Sequence, residues 1–295
     1  MRTTKSTLGA LVALVFAVAS LAVACGDDDS DDAGADTTES ATTGGATTAP
    51  ATTGGATTAG GGAAAEFATI SDGALTVCTD APYEPFEFED ESGEWTGFDM
   101  ELLRAMTTNW GLELSVTVVP FDGIWLLPEA GECDLVASAM TITPDRAENA
   151  LFSDPYFDAD QSLLVRATDA ETFATLADLE GGTIGVQTGT TGEAYANENA
   201  PEGAEIVSFD EAAAIFPALE SGDVDAILQD FPVNGFRSTQ DELFVVTERF
   251  PTGEQYGFAS SLDNTDLIDA VNAQFTQLRD DGTYDQIFAE WFGTT

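Results

Sequence analysis

The sequence predicts an α/β body of two lobes, each built on a mainly parallel sheet, with a ligand cleft between the lobes. Three observations predict it. From Gly73 onward, apolar runs of strand length alternate with segments of helical spacing. Near Arg166 the alternation restarts, giving two runs of βαβ units. Two segments, "LLPEAGECDLVASA" and "FPALESGDVDAILQD", also share one order of features: helix, Gly, acid, Asp, apolar strand.

Taken in chain order, the first segment is "MRTTKSTLGALVALVFAVASLAVACG". Arg2 and Lys5 precede an apolar stretch from Leu8 to Ala24 that ends in small residues before Cys25, the order of an export signal. A membrane-spanning anchor is the alternative. Against it, the stretch is short, Gly9 and Ser20 interrupt it, and "CGDDDSDD" follows at once. "LAVAC" resembles a bacterial lipobox, which implies a lipoprotein signal peptide at 1–24 and lipidation of Cys25. Residues 25–65 lose all periodicity. "TTGGATTAPATTGGATTAGGG" is Thr, Gly and Ala with the near repeat "ATTGGATTA", a composition too poor in apolar groups to fold. About 40 such residues reach roughly 35 Å, so the segment reads as a disordered, lipid-anchored linker.

The body begins near Phe67. "GALTVCT" is a first strand ending at Thr79 and Asp80. "GFDMELLRAMTTNWG" is a helix, with Phe98, Leu102, Leu103 and Met106 on one face and Gly111 as its stop. "LSVTVVP" is a second strand, "FDGIWLLPEAG" a short helix and "CDLVASAM" a third strand. After Arg166, "GTIGVQ", "EIVSF" and "DAILQD" read as strands, with "GEAYANENA" and "DEAAAIFPALESG" as the helices between them.

Composition restricts the chemistry. The formal charge is -45, with 53 Asp and Glu and no His. Past Lys5 the only basic residues are six Arg. Such a surface repels nucleic acid and anionic lipid and suits high salt. The absence of His excludes a Ser-His-Asp triad and His-ligated zinc. "GTIGVQTGTTG" is Gly-rich, but no Lys follows it, which argues against a nucleotide site. The acids of "EPFEFEDESGE" are not metal-spaced and read as a solvated loop. Those of "GFDMELLRAM" read as a solvated helix face. No cofactor and no metal are expected.

Open parallel sheets bind ligands beyond the C-terminal ends of their strands, so the cleft is the natural site. Asp80, Tyr83 and Phe86 follow the first strand, and Thr141, Thr143 and Arg146 follow the third. "QTGTTGEAY" and Asp230 lie at the strand ends of the second lobe. A cation, an acid, aromatic walls, hydroxyls and a helix start suit a zwitterion. Arg146 can take a carboxylate bidentately and Asp230 an ammonium. Each has a plainer reading. Arg146 in "TPDRAEN" could cap a helix at the surface, Asp230 could be a turn acid before Phe231-Pro232, and Tyr83 and Phe121 could be core.

At these residues the chain resembles the family 3 extracellular solute-binding proteins, the polar amino-acid receptors of bacterial ABC importers. The resemblance runs from Leu75 to Gly293. Its carriers are "PYEPFEFEDESGEWTGFDMELLRAM", "CDLVASAMTITPDRAENALFSDPYF", "DLEGGTIGVQTGTTGEAY", "ALESGDVDAILQDFPV" and "LRDDGTYDQIFAEWFG". It implies the two-lobed type II periplasmic-binding-protein fold. It implies that Arg146 binds an α-carboxylate, helped by Thr141 and by backbone near Thr190 and Thr191, and that Asp230 binds the α-amine with the Ala139 backbone. Asp80, Tyr83, Phe121, Ser138 and Gln187 fall where the family lines its side-chain pocket. The implied lobes are 66–166, rejoined by 257–295, and 167–256, with crossings near Val165–Ala167 and Gln255–Phe258. The implied partners are a free amino acid and the membrane permease of an ABC importer. The protein is expected to be an extracytoplasmic monomer tethered through its lipid, with no nucleic-acid partner.

Asp80, with Glu84 and Glu87 near it, makes a basic or amide side chain the expected ligand preference over an acidic one. Cys78 and Cys133 remain once Cys25 is lipidated. An exported protein favours a disulfide between them. The family alignment offsets them by about four residues on neighbouring strands, roughly 13 Å, whereas a bridge needs Cα atoms within about 7 Å. The bridge stays open on the sequence. Two other functions stay open too. One is a dehydratase on the same scaffold, with Glu84 or Glu87 as acid or base. The other is a ligand-sensing domain for a separate receptor. A transglycosylase would need a further domain after "EWFG".

Overall fold

The computed structural model describes residues 67–293. The expected signal peptide, Cys25 and the linker 25–65 lie outside the described residues. In chain order come β1 (Ala74–Thr79), the ribbon strands β2 (Phe88–Glu89) and β3 (Trp95–Thr96), α1 (Phe98–Trp110) and β4 (Glu113–Val118). A 3-10 turn at Ile124–Leu126 precedes β5 (Leu135–Val136), α2 (Pro144–Ala147), β6 (Leu151–Phe152) and the long β7 (Phe157–Arg166). Next are β8 (Thr183–Gln187), α3 (Thr191–Asn199), β9 (Glu205–Phe209), α4 (Ile215–Ser221), β10 (Ala226–Asp230), α5 (Phe231–Gln240) and the long β11 (Phe244–Tyr256). The described part closes with β12 (Ala259–Ser260), α6 (Thr265–Asp280) and α7 (Thr283–Phe292).

Two five-stranded sheets result, in the orders β4-β1-β5-β12-β6 and β11-β7-β10-β8-β9. Each is mixed, with four of its five strands running one way: three neighbours are parallel, the next strand (β12 or β7) runs antiparallel to them, and the edge strand (β6 or β11) reverses again. Those added strands come from the segments that enter or leave the lobe.

The first lobe forms because α1 presents Phe98, Leu102, Leu103 and Met106, all fully buried, to β1, whose Leu75 and Val77 are buried too. Gly97 precedes the helix at φ 110°, and a Cβ there would stand 2.3 Å from the Phe86 carbonyl oxygen, so only glycine allows the approach. Gly111 ends the helix in the left-handed conformation, its amide bonding Thr107 and Thr108 carbonyls. Helix α6 covers the same core with Leu267, Val271 and Phe275. In the second lobe β7 alternates, Leu163 and Val165 on one face and Leu164 on the other, each face with its own apolar cluster.

Several expectations shift. The strand in "CDLVASAM" is only Leu135–Val136, because the chain turns at Ala139, whose φ is 42°. The first crossing is earlier than Val165–Ala167, since Gln161–Val165 of β7 pair with β10 in the second sheet. The first lobe therefore ends near Tyr156 rather than at 166. The return runs through Tyr256, which pairs with Phe157, to Ala259, which pairs with Val136. Cys78 and Cys133 are bridged, with Cα atoms 5.8 Å apart. The offset argument failed because Cys133 is not on the strand. Asp134, whose amide bonds the Thr76 carbonyl, bends the chain before β5 begins, and Cys133 packs with Cys78 in one apolar cluster.

Candidate functional site

Eleven residues line one small cavity: Asp80, Tyr83, Phe121, Ser138, Ala139, Thr141, Arg146, Gln187, Thr190, Thr191 and Asp230. All eleven were singled out from the sequence, but Phe86 and Thr143, placed at the same strand ends, do not line it: Phe86 is buried in the first-lobe core and Thr143 caps α2. The first seven come from the segments after β1, β4 and β5, and the rest from the C-terminal ends of β8 and β10. Glu84 is exposed at a neighbouring recess and Glu87 is fully buried behind Ser138, so neither lines the cavity as an acid or base.

Thr143 caps α2 by accepting the Arg146 amide at 3.2 Å, which fixes the helix that carries Arg146. The side chain does not lie on the surface. It is 5 % exposed, donates from Nη1 to the Thr141 carbonyl at 2.7 Å and from Nη2 to the Gly189 carbonyl at 3.0 Å. Phe121 and Trp125 stand about 5 Å from the guanidinium. Of the six arginines after Arg2, four form ion pairs with carboxylates. Arg279 is exposed, which leaves Arg146 as the buried one without such a pair among the described residues. Burial lowers its pKa to about 10, against the pull of Asp230 and Glu254, so it remains charged near neutrality. A guanidinium carries five N–H groups, and only two are engaged here by carbonyls. The rest of the fork suits an anion in the cavity.

Asp230 ends β10 and is 8 % exposed. Gln161 Nε2 donates to its Oδ1, and the Tyr256 hydroxyl donates to its Oδ2. The Tyr83 hydroxyl lies 3.4 Å from Oδ2 across the cleft. Burial and the nearby Glu254 push its pKa up to about 6, against these hydrogen bonds and Arg146. Asp80 opens the loop that follows β1. Its amide donates to Ser138 Oγ at 2.9 Å and its carboxylate takes a hydrogen bond from Gln187 Nε2 of the other lobe. Burial also pushes Asp80 to about 6. The site holds one cation and two acids that repel excess negative charge.

The lobes meet tightly here. Gly189, at φ 76°, lies where a Cβ would be 2.6 Å from Asp122 Oδ1. Thr190 caps α3 by accepting the Glu193 amide at 3.1 Å. The other first-turn amides, of Thr191 and Gly192, have no partner within the helix, and Thr190 and Thr191 line the cavity.

Beneath the first-lobe wall, Asp99 is fully buried, which overturns the solvated-face reading of "GFDMELLRAM". Its Oδ2 accepts the Ala139 amide at 3.1 Å and the Tyr156 hydroxyl at 2.7 Å, and so holds Ala139 at positive φ. Glu87, expected in a solvated loop, is its buried neighbour. Burial raises both carboxyls, Asp99 to about 7. Sequence reasoning missed Gln161, Trp125, Glu254 and Tyr256. The signal for Gln161 was a lone amide in the apolar run "DADQSLLV"; the other three carry no spacing that marks them.

Residues 75–294 match the model of the bacterial extracellular solute-binding proteins, family 3. The L-cystine-binding protein TcyJ of Escherichia coli is 31 % identical over 75 % of this chain and 83 % of its own. The ABC transporter arginine-binding protein 1 of the same species is 33 % identical over 72 % and 88 %. Among solved structures, the ancestral amino acid-binding protein AncCDT-1, a precursor of cyclohexadienyl dehydratase, matches at 38 % identity and TM-score 0.70 over 75 % and 96 %. An ancestral arginine-binding protein bound to glutamine matches at 35 % and 0.70 over 76 % and 100 %. With two mixed sheets facing one cavity, and a family model that spans nearly the whole described body, the chain belongs to the family 3 bacterial extracellular solute-binding proteins.

Proposed function

We propose that the protein is an extracytoplasmic receptor that binds a free amino acid with a basic or amide side chain and delivers it to an ABC importer, without chemistry of its own. In this reading Cys25 carries the lipid that holds it at the membrane, through the linker 25–65. The observation that carries the reading is the buried Arg146 fork, without a carboxylate partner, in one cavity with the buried acceptor Asp230. A zwitterion satisfies both, its carboxylate on Arg146 and the first-turn amides of α3, its ammonium on Asp230. Asp80 then adds negative charge for the side chain, with Tyr83 as an aromatic wall. Relatives named for arginine and cystine, and an ancestral protein bound to glutamine, agree with a polar amino acid. Glu84 and Glu87 stand outside the cavity, which weighs against a dehydratase.

The test is calorimetry of the purified body with arginine, glutamine and glutamate, followed by mass spectrometry of each mixture. Arginine or glutamine is expected to bind unchanged and glutamate more weakly. Ligand at 100 times its Kd should add about 2.7 kcal/mol of stability. Silence across all common amino acids, preference for glutamate, or conversion of the ligand overturns the reading.

A further inference from the structure

Glu254 lies on β11, where the chain returns toward the first lobe. Its Oε2 accepts the Thr141 hydroxyl at 2.9 Å and the Thr191 hydroxyl at 2.6 Å. Thr141 belongs to the first lobe and Thr191 opens α3 in the second. Gln161 Nε2 lies 3.2 and 3.3 Å from the two carboxylate oxygens and 3.3 Å from Thr191 Oγ1. Gln161 also donates to Asp230. One carboxylate thus joins both lobes and both crossing strands.

A hydroxyl has one proton to give and two lone pairs to receive with. The protons of Thr141 and Thr191 are both spent on Glu254. Gln161 Nε2 gives one proton to Asp230, and its other is shared between Glu254 and Thr191 Oγ1. Both threonines line the cavity, so toward it their oxygens present lone pairs. Such a wall accepts hydrogen bonds from a cation and offers nothing to a carboxylate. The Thr141 hydroxyl therefore serves the ammonium end beside Asp230, and the carboxylate is left to Arg146 and backbone amides.

We propose that Glu254 is a positioning residue for amine recognition: by taking both hydroxyl protons it turns Thr141 and Thr191 into acceptors facing the cavity, and it bridges the lobes while doing so. The inference deepens the amino-acid reading and rests on it. Arg146 and Asp230 face the same cavity, and Tyr256 and Tyr83 reach Asp230, so the acceptors that await an ammonium are Asp230 and the two hydroxyl oxygens.

Glu254→Leu tests it. Leucine keeps much of the bulk and accepts no hydrogen bond, so both threonines are free to turn their protons into the cavity. The ligands are L-arginine and 5-guanidinopentanoic acid, which lacks only the α-amine. For Glu254→Leu, arginine affinity should fall about tenfold, the scale of one charge-assisted hydrogen bond. The des-amino acid should change less than twofold. Equal loss on both, or no loss on arginine, overturns the proposal. A second arm uses no ligand: small-angle scattering of Glu254→Ala after unfolding and refolding. A larger radius of gyration than the parent supports the bridge, and an unchanged one overturns it. If no amino acid binds the parent, the receptor reading falls, and this second arm alone decides the role of Glu254.

Discussion

At the scale of the residue, Arg146 and Asp230 set the terms. Lysine at position 146 would keep a charge but lose the planar fork that reaches the Thr141 and Gly189 carbonyls while facing the cavity. Arg146→Lys should weaken binding at least about tenfold, the scale of one lost charge-assisted hydrogen bond. Titration of variant and parent at equal ionic strength checks it, and unchanged affinity would leave Arg146 with a structural role alone. Asp230 makes a pH prediction with two opposite signs. Its pKa in the folded protein is raised to about 6 from 3.8. An ammonium needs the ionised form, so affinity should fall roughly fivefold from pH 6 to pH 5, in proportion to the ionised fraction. Stability moves the other way. The folded state holds a proton that the unfolded chain releases, so the stabilising contribution is full below about pH 4 and lost as pH rises through about 6. Asp80, raised to about 6 as well, adds the same sign. Calorimetry for binding, beside melting of the free protein across pH 4.5 to 7.5, separates the two trends. The strand-end rule and the family motifs made the eleven cavity residues legible. Gln161 and Glu254 were not, because they reach the site only through strand pairing across some ninety residues of chain, which no local pattern records.

Elements show the same division. Helix α1 and strands β1, β4, β8, β9 and β10 could be read from apolar periodicity, since their neighbours bury one face or both. The first crossing could not, because β7 looks like any buried strand until its pairing with β10 and β11 assigns it to the second sheet. The turn into α3 carries a test. Gly189→Ala would place a Cβ at positive φ, 2.6 Å from Asp122 Oδ1. The fold of each lobe should persist, while the approach of the loops across the cleft is blocked. Affinity should drop about tenfold or more, a 1 Å misplacement being enough for such losses, with melting of the free protein changed far less. An unaltered Kd would show that the loops can part without cost to binding. The Cys78–Cys133 bridge spans 55 residues of sequence. Chain-entropy arguments give such a loop about 4 kcal/mol. The double variant Cys78→Ser with Cys133→Ser should lose much of that in chemical denaturation, with an m-value at or above the parent's as the unfolded chain expands. A loss under about 1 kcal/mol would mean that the cluster around Phe121, Ile124 and Met140 holds the segment without the bond.

The whole molecule is set by charge. The chain carries 53 acids and a net -45, and folding gathers most of that negative charge into the body, where the unfolded chain disperses it. Four of its arginines are already paired with acids. Raising sodium chloride from 0.1 to 1 M shortens the screening length from about 10 to about 3 Å. Tm should therefore rise by roughly 2–4 °C or more, the shift that about 1 kcal/mol gives in a body of this size. A flat or falling Tm would show that the acids are spaced widely enough to ignore one another. The two strands that connect the lobes, β7 and β11, are themselves paired from Phe157–Tyr256 at one end to Arg166–Phe244 at the other. Two separate tethers would let one lobe swing, slide or twist. Strands zipped together behave as a strap, which flexes across its flat face but resists stretching and lateral slip. The lobes are therefore expected to keep one easy coordinate, a door-like angle, so that the gap between two aligned surfaces is the quantity that tells filled from empty.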